Sequence, residues 1–226
     1  MRVRRVLTAC IGTLLLVVGP VADSAMAAST LSHQCSTEDY NGDPRLGPRD
    51  LPTSGSVGYE LRTYDRFGGL TPDKFIATWW DPAANAGNGG WRFPPFNGFL
   101  VGPDGQPRHT VMTLRVGSKL DRYGSEFGGF LAPIGSLYSQ RAIPPQSLDN
   151  SGNPASCNYL ALRVIREFKA DGGPIAPAFG QPGQGLQYRL DGSLVPGAPA
   201  LLNVRWLIDN GYLARCAVVP AQPYTC

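Results

Sequence analysis

The chain has 226 residues, with 28 Gly and 21 Pro beside 42% hydrophobic and 16% charged residues. That much Gly and Pro excludes a coiled coil or helical bundle, and the apolar share excludes a disordered chain, so short strands, turns and well-built loops around one core are expected. A formal charge of +3 is too small for the broad basic field that nucleic-acid binding needs.

Arg2, Arg4 and Arg5 open the chain, Val6 to Val18 is almost purely apolar, and Ala25-Met26-Ala27 supplies small residues after it. A basic start, an apolar run and a small-residue end predict a secretory signal peptide over residues 1–27. The run is shorter than the ~20 residues of a membrane span, so the mature chain is expected outside the cell and free of the membrane. Cleavage leaves 17 basic and 16 acidic side chains. Any anion must then be held by a few placed arginines.

Cleavage also removes Cys10 and leaves Cys35, Cys157, Cys216 and Cys226. An even count in an exported chain predicts two disulfides. Of the three connectivities, loop economy favours Cys216 with Cys226 as a local clasp and Cys35 with Cys157 as a long tether. No cysteine pair has metal-ligand spacing and the mature chain holds only His33 and His109, so no metal ligand set is assigned.

Residues 28–70 are polar and turn-rich, with Asn41-Gly42-Asp43-Pro44 and Leu46-Gly47-Pro48 as punctuation; they are predicted to be an N-terminal extension tied down by Cys35. Thr71-Pro72-Asp73 marks a helix start, with Phe75, Ile76, Trp79 and Trp80 at helical spacing. Trp91 to Phe99 is an aromatic, proline-broken stretch expected to pack beneath that helix. His109 to Gly117 alternates, placing Met112, Leu114 and Val116 on one face of a strand. Tyr159 to Phe168 and Leu186 to Leu190 are further strand candidates. Asn203 and Gly211 bracket a last short helix, with Leu202 and Leu207 as its hydrophobic staple. The sum is an α+β fold: a twisted, mostly antiparallel sheet carrying a few short helices, with residues 71–226 as the functional domain.

Three segments could carry chemistry. In Leu120 to Pro133, three glycines within six positions surround Arg122, directly after a strand; such a loop can approach a ligand closely while its amides face an anion. Tyr123 and Ser125, beside Arg122, are substrate-binding candidates with it. The bland alternative pairs Arg122 with Asp121 or Glu126 at the surface. In Gln140 to Leu148 a rigid Pro144-Pro145 follows Arg141, a candidate second phosphate fork or, alternatively, a linker arginine. In Ile175 to Tyr188 a glycine-flanked loop presents Gln187, whose amide can donate and accept, although most glutamines are solvated or structural. His109 reads as capping a turn, Asp149-Asn150-Ser151-Gly152-Asn153 as an Asx turn and not a calcium loop, and Trp79, Trp80 and Trp91 as core.

Together, "DRYGSEFGGFLAPIG", "YSQRAIPPQSL", "GPIAPAFGQPGQGLQY" and "VRWLIDNGYL" resemble the TNT family, the NAD glycohydrolase domain of the tuberculosis necrotizing toxin, which includes secreted surface NADases of fungi. The match runs from about Pro72 to Leu213, and the preceding "CSTEDYNGDPRLGPRDLP" resembles the cysteine-bearing extension of fungal members. The resemblance implies that Arg122 and Arg141 lie around the NAD phosphates and ribose, that Phe130 lines the pocket, and that Gln187 is required for turnover, with Gln187 and Arg141 the catalytic pair. The toxin has a functional histidine near the strand that here reads "CNYLALRV", and this chain has none there. Some fungal members bind calcium near the C-terminal end; beyond Asp209 no matching acids are found, so a structural calcium is left open and no cofactor is assigned.

The implied reaction is hydrolysis of NAD+ or NADP+ at the nicotinamide–ribose bond. A pyridinium is already a cationic leaving group, so no general acid is needed to expel it, in contrast with an ordinary glycoside. The alternatives are an ADP-ribosyltransferase or cyclase acting on the same substrate, or a secreted binding module without activity. The extension leaves room for a homodimer.

Overall fold

The computed structural model describes residues 33–149 and 156–217. The predicted signal peptide, most of the predicted Asx turn after Asp149, and the Cys226 half of the predicted clasp lie outside these residues.

The polar N-terminal stretch makes a helix that its composition did not announce. In α1 (Gly55–Leu61) Val57 and Leu61 stand four apart, so one face is apolar and packs beside Cys35. The second helix, α2 (Pro72–Trp79), begins where predicted: the Thr71 side chain accepts from the Lys74 amide and Pro72 occupies the first helical position. Two short strands, β1 (Trp80–Asp81) and β2 (Gly90–Trp91), pair after it.

The main sheet is built from β3 (Thr110–Leu114), β4 (Lys119–Tyr123), β5 (Phe130–Pro133), β6 (Tyr159–Val164), β7 (Phe168–Pro174), β8 (Leu186–Arg189) and β9 (Leu213–Arg215). Their spatial order is β3-β7-β8-β5-β4-β6-β9 and the pairings are antiparallel. Two predicted strands differ in detail. β3 stops at Leu114 and leaves Val116 exposed, and the predicted Tyr159–Phe168 strand turns after Val164, so that Phe168 starts β7. The turn is hard to see in the sequence because Ile165-Arg166-Glu167 carries no Gly, Pro, Asn or Asp to mark it.

Two short helices complete the fold. One is α3 (Tyr138–Arg141), the other α4 (Val204–Asp209), whose N-cap Asn203 accepts from the Trp206 amide at 2.9 Å. Leu202, Val204 and Leu207 lie against one face of the sheet with Leu120, Leu162 and Val164. The other face of β4 and β6 meets α1 and α3 through Tyr123, Tyr138, Tyr159 and Ala161. A third cluster joins Leu46 and Phe67 to Phe75, Ile175 and Phe179. Residues 33–70 therefore contribute to two of the three cores. The Cys35–Cys157 disulfide is formed and spans 122 residues. Among the described residues no helix is long and apolar enough to cross a membrane.

Candidate active site

Strand alternation decides what β4 offers. Leu120 and Arg122 face one way, Asp121 and Tyr123 the other. The three segments singled out in the sequence meet at a cavity of about 610 Å³, within the range of small-molecule sites; Arg122, Phe130, Arg141 and Gln187 all line it, together with Phe96 and Asp121.

Arg122 donates from Nη1 to the Phe130 carbonyl at 2.8 Å and from Nε to the Gly124 carbonyl at 3.3 Å. Among the described residues it has no carboxylate partner: Asp121 is turned to the opposite face, and Glu126 is bonded to Arg215 at 2.6 Å. Burial without a counter-ion pushes its pKa down to about 10, still a cation at neutral pH. The surface pairing weighed from sequence is thus not made. The loop glycines also serve a different end from the one expected. A Cβ at Gly128 would stand 2.2 Å from Arg122 Nη2. The glycine makes room for the guanidinium, and an uncompensated cation is left beside an apolar cavity. Phe130, 38% exposed, forms the adjoining wall.

Gln187 donates from Nε2 to the Asn97 carbonyl at 3.0 Å. A carbonyl only accepts, so this bond fixes which end of the carboxamide is which and leaves Oε1 to the cavity. Asn97 belongs to the aromatic stretch expected to pack beneath α2. Only its start does so, through Trp91 against Phe75 with centroids 6.1 Å apart. Residues 93–98 instead line the cavity, with Phe93 and Phe96 half exposed. Phe96, Asn97 and Gly98 have φ of 54°, 57° and 77°. A phenylalanine held in the left-handed region is strained, and such strain at a cavity wall is a mark of a functional segment.

Arg141 is not the free phosphate fork expected. It is 6% exposed; Nη2 lies 3.1 Å from Glu60 Oε2 and 2.7 Å from Asp121 Oδ1, and it also donates to the Ser136 carbonyl at 3.0 Å. Burial opposes its charge, but the two acids outweigh that and raise its pKa. Tyr123 donates to Glu60 Oε2 at 3.0 Å, so its hydroxyl points away from a ligand. Tyr159 reaches both Glu60 Oε1, at 3.2 Å, and Asp121 Oδ2, at 3.1 Å. Glu60 and Tyr159 escaped the sequence reading. Glu60 sits in a polar stretch 81 residues from its arginine, where an acid reads as solvated.

The remaining candidates fall elsewhere. Ser125 does not line the cavity; its Oγ accepts from the Phe127 amide at 3.0 Å. His109 stacks on Phe99 at 4.7 Å with Asp171 3.7 Å from its Nδ1, in place of capping a turn. Asp209 is bonded to Arg205 at 2.8 Å. Among the described residues no three His, Cys, Asp or Glu side chains are grouped as a metal site would require.

The family described as "Tuberculosis necrotizing toxin" matches residues 113–216. The conidial surface nicotinamide adenine dinucleotide glycohydrolase nadA of Aspergillus fumigatus is 45% identical over 174 residues, 77% of this chain and 69% of that protein. The solved structure of tuberculosis necrotizing toxin with its immunity factor aligns at a TM-score of 0.44 and 21% identity, over 78% of this chain and 79% of its own. With a relative that similar over most of both lengths, the chain belongs to the tuberculosis necrotizing toxin family, the group to which its quoted motifs pointed.

Proposed function

We propose that this chain is a secreted NAD+ glycohydrolase that hydrolyses the nicotinamide–ribose bond. The observation that carries the reading is the uncompensated Arg122 guanidinium at an apolar, aromatic-walled cavity that also receives the oriented carboxamide of Gln187. The similarity to a surface NAD glycohydrolase supports it and agrees with an extracellular place of action.

The bond between C1′ and the pyridinium nitrogen breaks with its electron pair going to nicotinamide, which leaves neutral. The ribose is left oxocarbenium-like. Water adds to C1′ and gives up one proton, so NAD+ and water become ADP-ribose, nicotinamide and a proton.

The chain must hold the diphosphate, shield the reacting carbon and place the water. Arg122 is the anion anchor, because its charge is not spent on a protein acid. Phe130 and Phe96 supply faces on which a planar ring can pack. Gln187 accepts through Oε1 from a ribose hydroxyl or the attacking water. Arg141, Asp121 and Tyr123 form the wall beside the diphosphate and ribose. Ser125 has no part in this reading.

The test is to incubate purified mature protein with NAD+ and resolve the products. Free nicotinamide and ADP-ribose in equal amounts are expected. A cyclic product, ADP-ribose appearing only on an added protein acceptor, or no consumption of NAD+ would overturn the reading.

A further inference from the structure

Hydrogen counting at the buried cluster goes beyond binding and turnover. Tyr159 has one hydroxyl hydrogen, yet its oxygen stands 3.2 Å from Glu60 Oε1 and 3.1 Å from Asp121 Oδ2. It can donate to one carboxyl only; contact with the other is a hydrogen bond only if that carboxyl carries a proton and donates to Tyr159. Each carboxyl has other donors, but the oxygens facing Tyr159 differ: Asp121 Oδ2 already accepts from the Gly135 amide at 3.1 Å, whereas Glu60 takes Tyr123 and Arg141 on Oε2 and leaves Oε1 to Tyr159 alone among the described residues. Glu60 is therefore the protonated member. Both carboxyl groups are fully buried, where two negative charges beside one guanidinium would leave an unbalanced charge.

We propose that Glu60 is a positioning residue for turnover: it and Asp121 share one proton around Arg141, which fixes the guanidinium and keeps the cavity wall electrically neutral where the dinucleotide diphosphate binds. The charged and titratable groups facing Glu60 are Asp121 and Tyr123 of β4, Tyr159 of β6 and Arg141 of α3, and Arg141 is the cation among them. Burial, then the nearby Asp121 charge, pushes the Glu60 pKa up to about 8. Above that value the cluster gains a negative charge at the wall that meets an anionic substrate. Arg122 loses its proton only near 10, so the two effects separate on a pH axis.

The inference rests on the NAD glycohydrolase reading for its kinetic arm and has a second arm that does not. In the kinetic arm, kcat/KM for NAD+ in the unaltered protein is expected to fall about tenfold from about pH 7 to 9, as the added charge repels the diphosphate. Glu60→Gln, which keeps the shape and stays neutral, is expected to lose that fall. Glu60→Ala is expected to lower kcat by about 10²-fold through a displaced Arg141, with glutamine restoring most of the loss. In the second arm, thermal melting needs no substrate. A carboxyl whose folded pKa lies above its unfolded value binds more protons folded, so stability falls as pH rises between the two; melting temperature is expected to drop from about pH 5 to 8 in the unaltered protein and to hold more nearly level in Glu60→Gln.

If the unaltered protein consumes no NAD+, the functional reading falls and melting alone judges the shared proton. If it is active and Glu60→Gln keeps the same alkaline fall and the same melting profile, this inference is overturned. Should Glu60→Ala fail to fold, the two glutamine profiles decide it.

Discussion

The carboxamide of Gln187 is clamped by the main chain of Asn97: Nε2 donates to that carbonyl at 3.0 Å, so a residue of β8 is oriented by a left-handed turn 90 positions away. Orientation, not mere presence, is what the site takes from this residue. Gln187→Ala is expected to lower kcat by about 10²-fold or more, the scale of removing one oriented polar group from a site, with little change in melting temperature. Gln187→Glu is expected to fail as badly, because a carboxylate facing the Asn97 carbonyl has nothing to donate. Hydrolysis that proceeds at the normal rate in Gln187→Ala would remove the residue from the mechanism.

Gly128 tests the anion anchor without touching it. A methyl group there would overlap Arg122 Nη2, the end of a flexible side chain. The guanidinium must move, while the backbone need not. Gly128→Ala is expected to raise KM for NAD+ by about tenfold, as a displaced charged hydrogen-bond donor would, and to leave the melting temperature within a few degrees. An unchanged KM would show that Arg122 does not hold substrate.

Phe96 sets stability against binding. Its φ of 54° costs a bulky residue about 1–3 kcal/mol, and its ring is half exposed at the cavity. Phe96→Gly relieves the strain and deletes the stacking face. The expected result is a melting temperature that holds or rises while KM rises about tenfold, the range for losing one ring stack. A fall in melting temperature with unchanged KM would make Phe96 a structural residue only.

Acid should loosen the fold through two other ion pairs. Hydrogen bonds from Arg215 hold the Glu126 carboxyl below its usual range, and Arg45 does the same for Asp43. A carboxyl with a depressed folded pKa stabilises the fold above its unfolded value and loses that contribution as pH falls. Melting temperature is therefore expected to decline below about pH 4, and less steeply in Glu126→Gln. An identical acid profile in the two proteins would assign the loss elsewhere.

What could be read in advance divides along sequence distance. Thr71 and Asn203 were legible as helix starts because a cap is settled within three residues. Arg122, Phe130 and Gln187 came out together because their motifs keep order and spacing, and the structure brings all three to one cavity. Arg141 also reaches the cavity, but paired with acids the sequence did not disclose: an arginine's meaning depends on which acids fold against it, and Glu60 comes from a stretch whose polar composition hid a helix with one apolar face. Pro94-Pro95 and Asn97-Gly98 mark a turn, but nothing marks Phe96 itself, since phenylalanine has no preference for left-handed backbone and only the packed chain forces it there.

The Cys35–Cys157 bridge links the approach to α1, which carries Glu60, to the start of β6, which carries Tyr159. Closing 122 residues of chain restrains the unfolded state by about 5 kcal/mol. Copies whose sulfurs remain thiols must keep the Glu60 helix seated by noncovalent contacts alone. The redox state of the surroundings is thereby coupled to how completely the cavity wall is assembled.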